Sequence, residues 1–226
     1  MNHTFETKLT KAWELFEKGD LKQSESLYLE CLDTIDKSNV QKYSSILMGL
    51  IYVECFAEKY DIARQFADEL LHIAQNPEEQ HIYLHQQGMV ERMASNYAKA
   101  LELFDLESEI ILENFPNDFH RIATNLYEKA YILSKCKEFQ KAIAEMKRAI
   151  HYAEQSKDLT TIACTYRGMA EILSDSGNHC DARQYFKKAI QSFENEGSPS
   201  SQYAIAEIKE MMSESSEEVN KNIKIK

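Results

Sequence analysis

The 226-residue chain has only six glycines and three prolines. All-β folds spend such residues on frequent tight turns, so their scarcity argues against one. Long hydrophobic runs are missing too. No stretch reaches the roughly 18 apolar residues of a membrane-spanning helix, and the opening MNHTFETKLTKAWELF lacks the apolar core of a secretory leader. Basic charge is in deficit: 26 Lys and Arg stand against 37 Asp and Glu, a net −11. Nucleic acids and anionic membranes call for a basic patch that displaces counterions, so neither is an expected partner. The five cysteines (Cys31, Cys55, Cys136, Cys164, Cys180) contain no C-x-x-C pair. An odd set lying inside helical patterns reads as small, mostly buried side chains in a reducing, cytoplasmic setting.

Signatures of catalysis are absent in the same way. The scattered glycines form neither G-x-G-x-x-G nor G-x-x-x-x-G-K, and no G-x-S-x-G elbow occurs. His81 and His85 stand i, i+4, the spacing of two ligands on one helix face. The intervening Ile82-Tyr83-Leu84 lacks the Glu of H-E-x-x-H, and no third ligand is evident. No metal, cofactor or enzymatic activity is expected. The carboxylate-rich run from Glu214 to Glu218 and the basic stretch from Lys135 to Arg148, interspersed with Glu138 and Glu145, read as solvated helix surface.

What is present is helical periodicity that repeats. In Thr160 to Asn195 two helix-length segments flank a polar turn, Asp175-Ser176-Gly177-Asn178. Ala182, Phe186 and Ala189 lie at i, i+4 and i+7, on one helix face. Small residues there allow close helix approach, and the phenyl ring fills the space beside them. The same design starts at Ser24, Ala63, Ala100, Ala142 and Ala182, 39, 37, 42 and 40 residues apart. An aromatic precedes the middle three by three positions (Tyr60, Tyr97, Phe139). The preceding helices carry a small residue and a large one three later: Ala12 and Leu15, Ala130 and Leu133, Ala170 and Leu173.

In phase five times over, this pattern resembles the tetratricopeptide repeat. The period exceeds the family's usual length of about 34 residues and is similar to the variants in kinesin light chains and bacterial peptide-sensing regulators. Glu91 stands where a large apolar residue is expected. Aligning Gly49 and Tyr52 with the other units demands two extra residues before the turn, so the second repeat fits poorly. The resemblance implies an all-α, right-handed superhelical solenoid of five hairpins, at about 5–38, 39–76, 77–115, 118–156 and 158–195. A capping helix is expected at about 200–212, closing one repeat domain over 1–212, and a polar, flexible tail at 213–226. In this family the first helices line a concave groove. Carried over, the groove positions are Ile82, His85, Met89 and Arg92, then Thr124, Tyr127, Tyr131 and Ser134, then Cys164, Arg167, Glu171 and Ser174. Tyr, Met and Arg suit an extended or helical protein segment better than a polar metabolite; the competing reading is that these residues pack helix on helix. The Lys/Asn clamp for chaperone C-termini is not reproduced. The expectation is a non-catalytic module binding a protein or peptide in that groove. Alternatives are a peptide-sensing regulator and a self-assembling scaffold, for instance a homodimer.

Overall fold

A computed structural model describes residues 4–224, with side chains to Ser213; among these residues there are eleven helices and no strand. In chain order they are α1 (Phe5–Glu17), α2 (Leu21–Thr34), α3 (Val40–Phe56), α4 (Tyr60–His72), α5 (Pro77–Met93), α6 (Tyr97–Asn114), α7 (Phe119–Lys135), α8 (Phe139–Ser156), α9 (Leu159–Asp175), α10 (His179–Glu196) and α11 (Pro199–Lys224). This is the all-α solenoid class that the repeat pattern implied.

Local chemistry sets the helix ends. Asn39, Asn76, Asp118 and Asp158 cap α3, α5, α7 and α9, each accepting the amide of the third helical residue, which satisfies one of the orphan N–H groups. Pro77 opens α5, where a missing N–H costs nothing. Inside each hairpin the turn is built alike. Gly19, Glu58, Ser95, Lys137 and Gly177 adopt left-handed backbone, with φ from 59° to 84°. The next residue's amide (Asp20, Lys59, Asn96, Glu138, Asn178) donates to the carbonyl five back (Leu15, Glu54, Glu91, Leu133, Leu173) at 2.8–2.9 Å. That is a left-handed helix cap, repeated with the spacing of the small residues.

Glycine adopts this conformation without strain, whereas an L residue there costs about 1 kcal/mol. Lys137→Gly is therefore expected to raise stability by about 0.5 kcal/mol, the relief being partly offset by greater freedom of the unfolded chain. Urea unfolding followed by circular dichroism checks this; a lowered midpoint would contradict it.

The chain divides into two compact units within α6, Met1–Ile110 and Ile111–Lys226. In the first, hairpins α1/α2 and α3/α4 and helix α5 pack in succession. One core joins Ala12, Tyr28, Ile46 and Leu50; another joins Leu47, Ile51, Ala67, Leu70 and Val90. In the second unit a single core runs from Ile111 through Met146, Ala170 and Phe186 to Ile208 of α11. Helix α11 packs on α10 and α9 as the expected cap and continues to Lys224. The flexibility expected over 213–226 falls largely on side chains outside the described residues, and 225 and 226 lie outside them altogether.

Counted from the left-handed turn residue, the buried small position seven back is Ala12, Ile51, Gly88, Ala130 and Ala170. The second repeat thus needs no extra residues, because Ile51 takes the position and not Gly49. Gly49 is instead the counterpart of Gly168, nine before the turn. Both face the preceding hairpin: a Cβ on Gly49 would lie 2.3 Å from the Tyr28 ring, and one on Gly168 2.6 Å from Tyr127.

Glu91 is explained by its neighbours. It is buried and receives two hydrogen bonds from Arg64 of α4, both 2.9 Å, and one from Asn96 at 3.0 Å. Glu54, its counterpart in the preceding repeat, is also buried, 3.3 Å from Lys59, which binds Glu25 of α2 through both carboxylate oxygens at 2.8 Å. In the second unit the equivalent pair is apolar, Ile143 and Leu173. At this one position the hairpins meet through ions in the first unit and through hydrocarbon in the second. Burial of the cysteines is less complete than expected: Cys31 and Cys55 are buried, Cys164 is half-buried, and Cys136 and Cys180 are exposed.

Candidate functional site

The first helix of each hairpin carries the expected groove positions, at thirteen, ten, six and three residues before the turn. In the second unit the structure brings three of them together. Tyr131 and Ser134 of α7 and Glu171 of α9 line a shallow cleft open to solvent, with Lys135 and Asp175 on the rim and Met146, Gly168 and Ile172 on the floor. Gly168 lets α7 and α9 approach closely enough to shape this floor. Lys135 Nζ lies 5.0 Å from the Tyr131 ring centroid and 3.9 Å from Asp175. Ser134 is buried, and its Oγ has no hydrogen-bond partner among the described residues. A buried hydroxyl without a partner costs about 1–3 kcal/mol, and Ser134 is among the residues that line the cleft.

Other expected positions are committed to packing. Tyr127 is wedged against Gly168. Thr124 Oγ1 donates to the His120 carbonyl at 3.0 Å. Arg167 bridges Glu171 at 2.7 Å and Glu207 of α11 at 2.9 Å, fastening the last helix to α9. Cys164 packs against the apolar core, and burial pushes its thiol pKa up; Ser174 Oγ lies 3.4 Å from His179 Nδ1. In the first unit Ile82 packs on the α3–α5 core. His85 sits 3.2 Å from the buried Glu107 and meets the Phe104 ring edge-on, with centroids 5.5 Å apart. His81 approaches the same carboxylate at 3.9 Å. Met89 and Arg92 are half-buried.

The register also extends to helices whose groove positions the sequence reading left unassigned. It places Glu6, Leu9, Trp13 and Phe16 on α1, and Ser45, Met48, Tyr52 and Cys55 on α3. Three of these residues gather with Phe56 into one aromatic group. Trp13–Phe16 and Phe16–Phe56 centroids are 5.1 Å apart, Trp13–Tyr52 5.9 Å and Phe16–Tyr52 6.2 Å. Trp13 is 40% exposed and Phe56 57%, high values for rings of this size. The signal was available: it needed the turn at Gly19 to be aligned with that at Gly177.

Residues 123–156, from α7 through α8, match the tetratricopeptide repeat family. No curated protein matches the chain. Among solved structures, BtubC from P. vanneervenii is 16% identical, with a TM-score of 0.66 over 85% of this chain and 81% of that one. A Podosopora anserina putative kinesin light chain with nearly identical TPR-like repeats is 11% identical, with a TM-score of 0.61 over 87% and 99%. A Rap protein complexed with competence and sporulation factor is 16% identical, with a TM-score of 0.61 over 97% of this chain and 75% of that one.

Proposed function

Starting from a repeat protein of the tetratricopeptide type, we propose that this chain is a non-catalytic interaction module whose α7–α9 cleft binds a protein or peptide segment. The observation that carries the reading is the convergence of Tyr131, Ser134 and Glu171 on one cleft, with an apolar floor and an unsatisfied buried hydroxyl. In this reading an apolar side chain of the segment covers the shallow floor over Met146 and Ile172. The charged rim of Lys135, Glu171 and Asp175 sets the segment's orientation. Tyr131 supplies a rigid contact at low entropy cost.

Peptides selected from a displayed random library against the wild-type protein supply the test. Tyr131→Ala is expected to weaken a selected peptide at least about tenfold by calorimetry, as for an aromatic anchor. Lys187→Ala, on an exposed position of α10, is expected to leave binding unchanged. Equal affinity for wild type and Tyr131→Ala would move the site elsewhere. Arg167 is a poor probe of binding, because its loss also frees α11.

A second reading is the sensing part of a regulator. Its support is the alignment of 97% of this chain with a Rap protein complexed with competence and sporulation factor. A change in solution scattering when a selected peptide is added would favour it; an unchanged profile at saturation would count against it.

A further inference from the structure

Several partly exposed rings in this chain are covered by the chain's own cations. Lys42 lies over Phe5 at 4.9 Å, Arg121 over Phe115 at 4.3 Å, and Lys188 over Tyr185 at 5.0 Å. The group of Trp13, Phe16, Tyr52 and Phe56 differs: among the described residues, no lysine or arginine stands over any of its rings. A carboxylate is nevertheless fixed beside it. Glu17 accepts the Trp13 indole N–H at 3.0 Å. Exposed Glu58 follows Phe56 by two residues, on the left-handed turn. Nearby cations are mostly engaged: Lys11 with Glu14, and Lys59 with Glu25 and Glu54. Lys18 is exposed beside Glu17, which leaves two carboxylates against one ammonium at this edge.

Ring faces attract cations, and a flanking carboxylate adds directed attraction. We propose that this patch takes an arginine of a partner peptide segment. The guanidinium stacks on the exposed rings and pairs with Glu17, while an apolar neighbour of that arginine covers Phe56. Arginine fits better than lysine because its planar, weakly hydrated head can stack and bond a carboxylate at once. A basic segment also complements the chain's net charge of −11. The patch lies wholly in the first unit and is independent of the α7–α9 cleft.

Trp13 is the chain's only tryptophan, so intrinsic fluorescence reports directly on the site. The probe is an acetylated, amidated Leu-Arg-Leu-Arg-Leu peptide, compared with its citrulline analogue, which keeps the shape and removes the charge. The expected result is a saturable change in Trp13 emission, with citrulline weakening binding about tenfold. Glu17→Gln should weaken it about three- to fivefold and Phe56→Ala about tenfold, with circular dichroism unchanged. Tyr131→Ala should leave it unaffected, so failure of this proposal and of the cleft reading are separable. Equal binding of the citrulline peptide, or no saturable change with the arginine peptide, would overturn the proposal. So would an emission shift that tracks protein concentration without peptide, which would assign the patch to a second copy of the chain.

Discussion

Replacing Phe104 by alanine is expected to lower the unfolding free energy by about 3–5 kcal/mol, the range for a buried phenylalanine in a core that cannot collapse. Phe104 is fully buried, and its ring fills the notch left by Gly88 on α5: a Cβ there would lie 2.7 Å from Phe104 Cε1. The ring also stacks edge-on against His85. Helix backbone lines one side of the notch, so the vacated space closes poorly. Gly88→Ala attacks the same joint from the other side and should cost about 1–3 kcal/mol through overpacking. Urea unfolding monitored by circular dichroism and Trp13 emission would measure both. A loss below about 1 kcal/mol for Phe104→Ala would show that the joint does not depend on the ring.

The second large effect concerns the ion pair between hairpins. Arg64→Ile leaves the Glu91 carboxylate buried with the Asn96 hydrogen bond and the more distant Lys99 charge for support. Breaking a fully buried pair costs about 3–5 kcal/mol; because the Arg64 side chain is 34% exposed, about 2–3 kcal/mol is expected. The double variant Arg64→Ile/Glu91→Leu copies the Ile143/Leu173 pair of the second unit and is expected to return within about 1 kcal/mol of wild type. Additive losses would refute the equivalence of the two joints. The pair also predicts a pH dependence. The Arg64 hydrogen bonds hold the Glu91 carboxyl below its ordinary 4.5 despite the opposing effect of burial. Its contribution is therefore complete above about 4.5 and lost as the pH falls through the lowered folded value. Wild type should thus exceed Arg64→Ile most near neutrality and approach it in acid, whereas the double variant, with no carboxyl at position 91, should not share the wild type's loss there.

Much of the architecture was legible because it is written locally. Asn and Asp caps, small residues at fixed distances and the left-handed turn each depend on residues within a few positions of one another, so five hairpins could be counted in a single sequence. Gly49 misled for a related reason. Sequence shows that a position is small, but not whether it accommodates its own hairpin partner, as Gly88 does, or the ring of the hairpin before, as Gly49 and Gly168 do.

The candidate sites were only partly legible. Sequence alone determined the helical class and the repeat period, since 3.6-residue periodicity and cap chemistry follow from backbone geometry, while the groove positions came from the resemblance to the tetratricopeptide repeat. Tertiary structure decided which of those positions remain available. Tyr127 and Arg167 are consumed by packing, Tyr131, Ser134 and Glu171 share a cleft, and Trp13, Phe16, Tyr52 and Phe56 gather at the surface. It also turned the anomalous Glu91 into the anchor for Arg64, 27 residues away, and tied Arg167 to Glu207, 40 residues away. Burial and pairing depend on side chains delivered by a neighbouring hairpin, and a helical period records only the face a residue occupies, not what arrives to meet it.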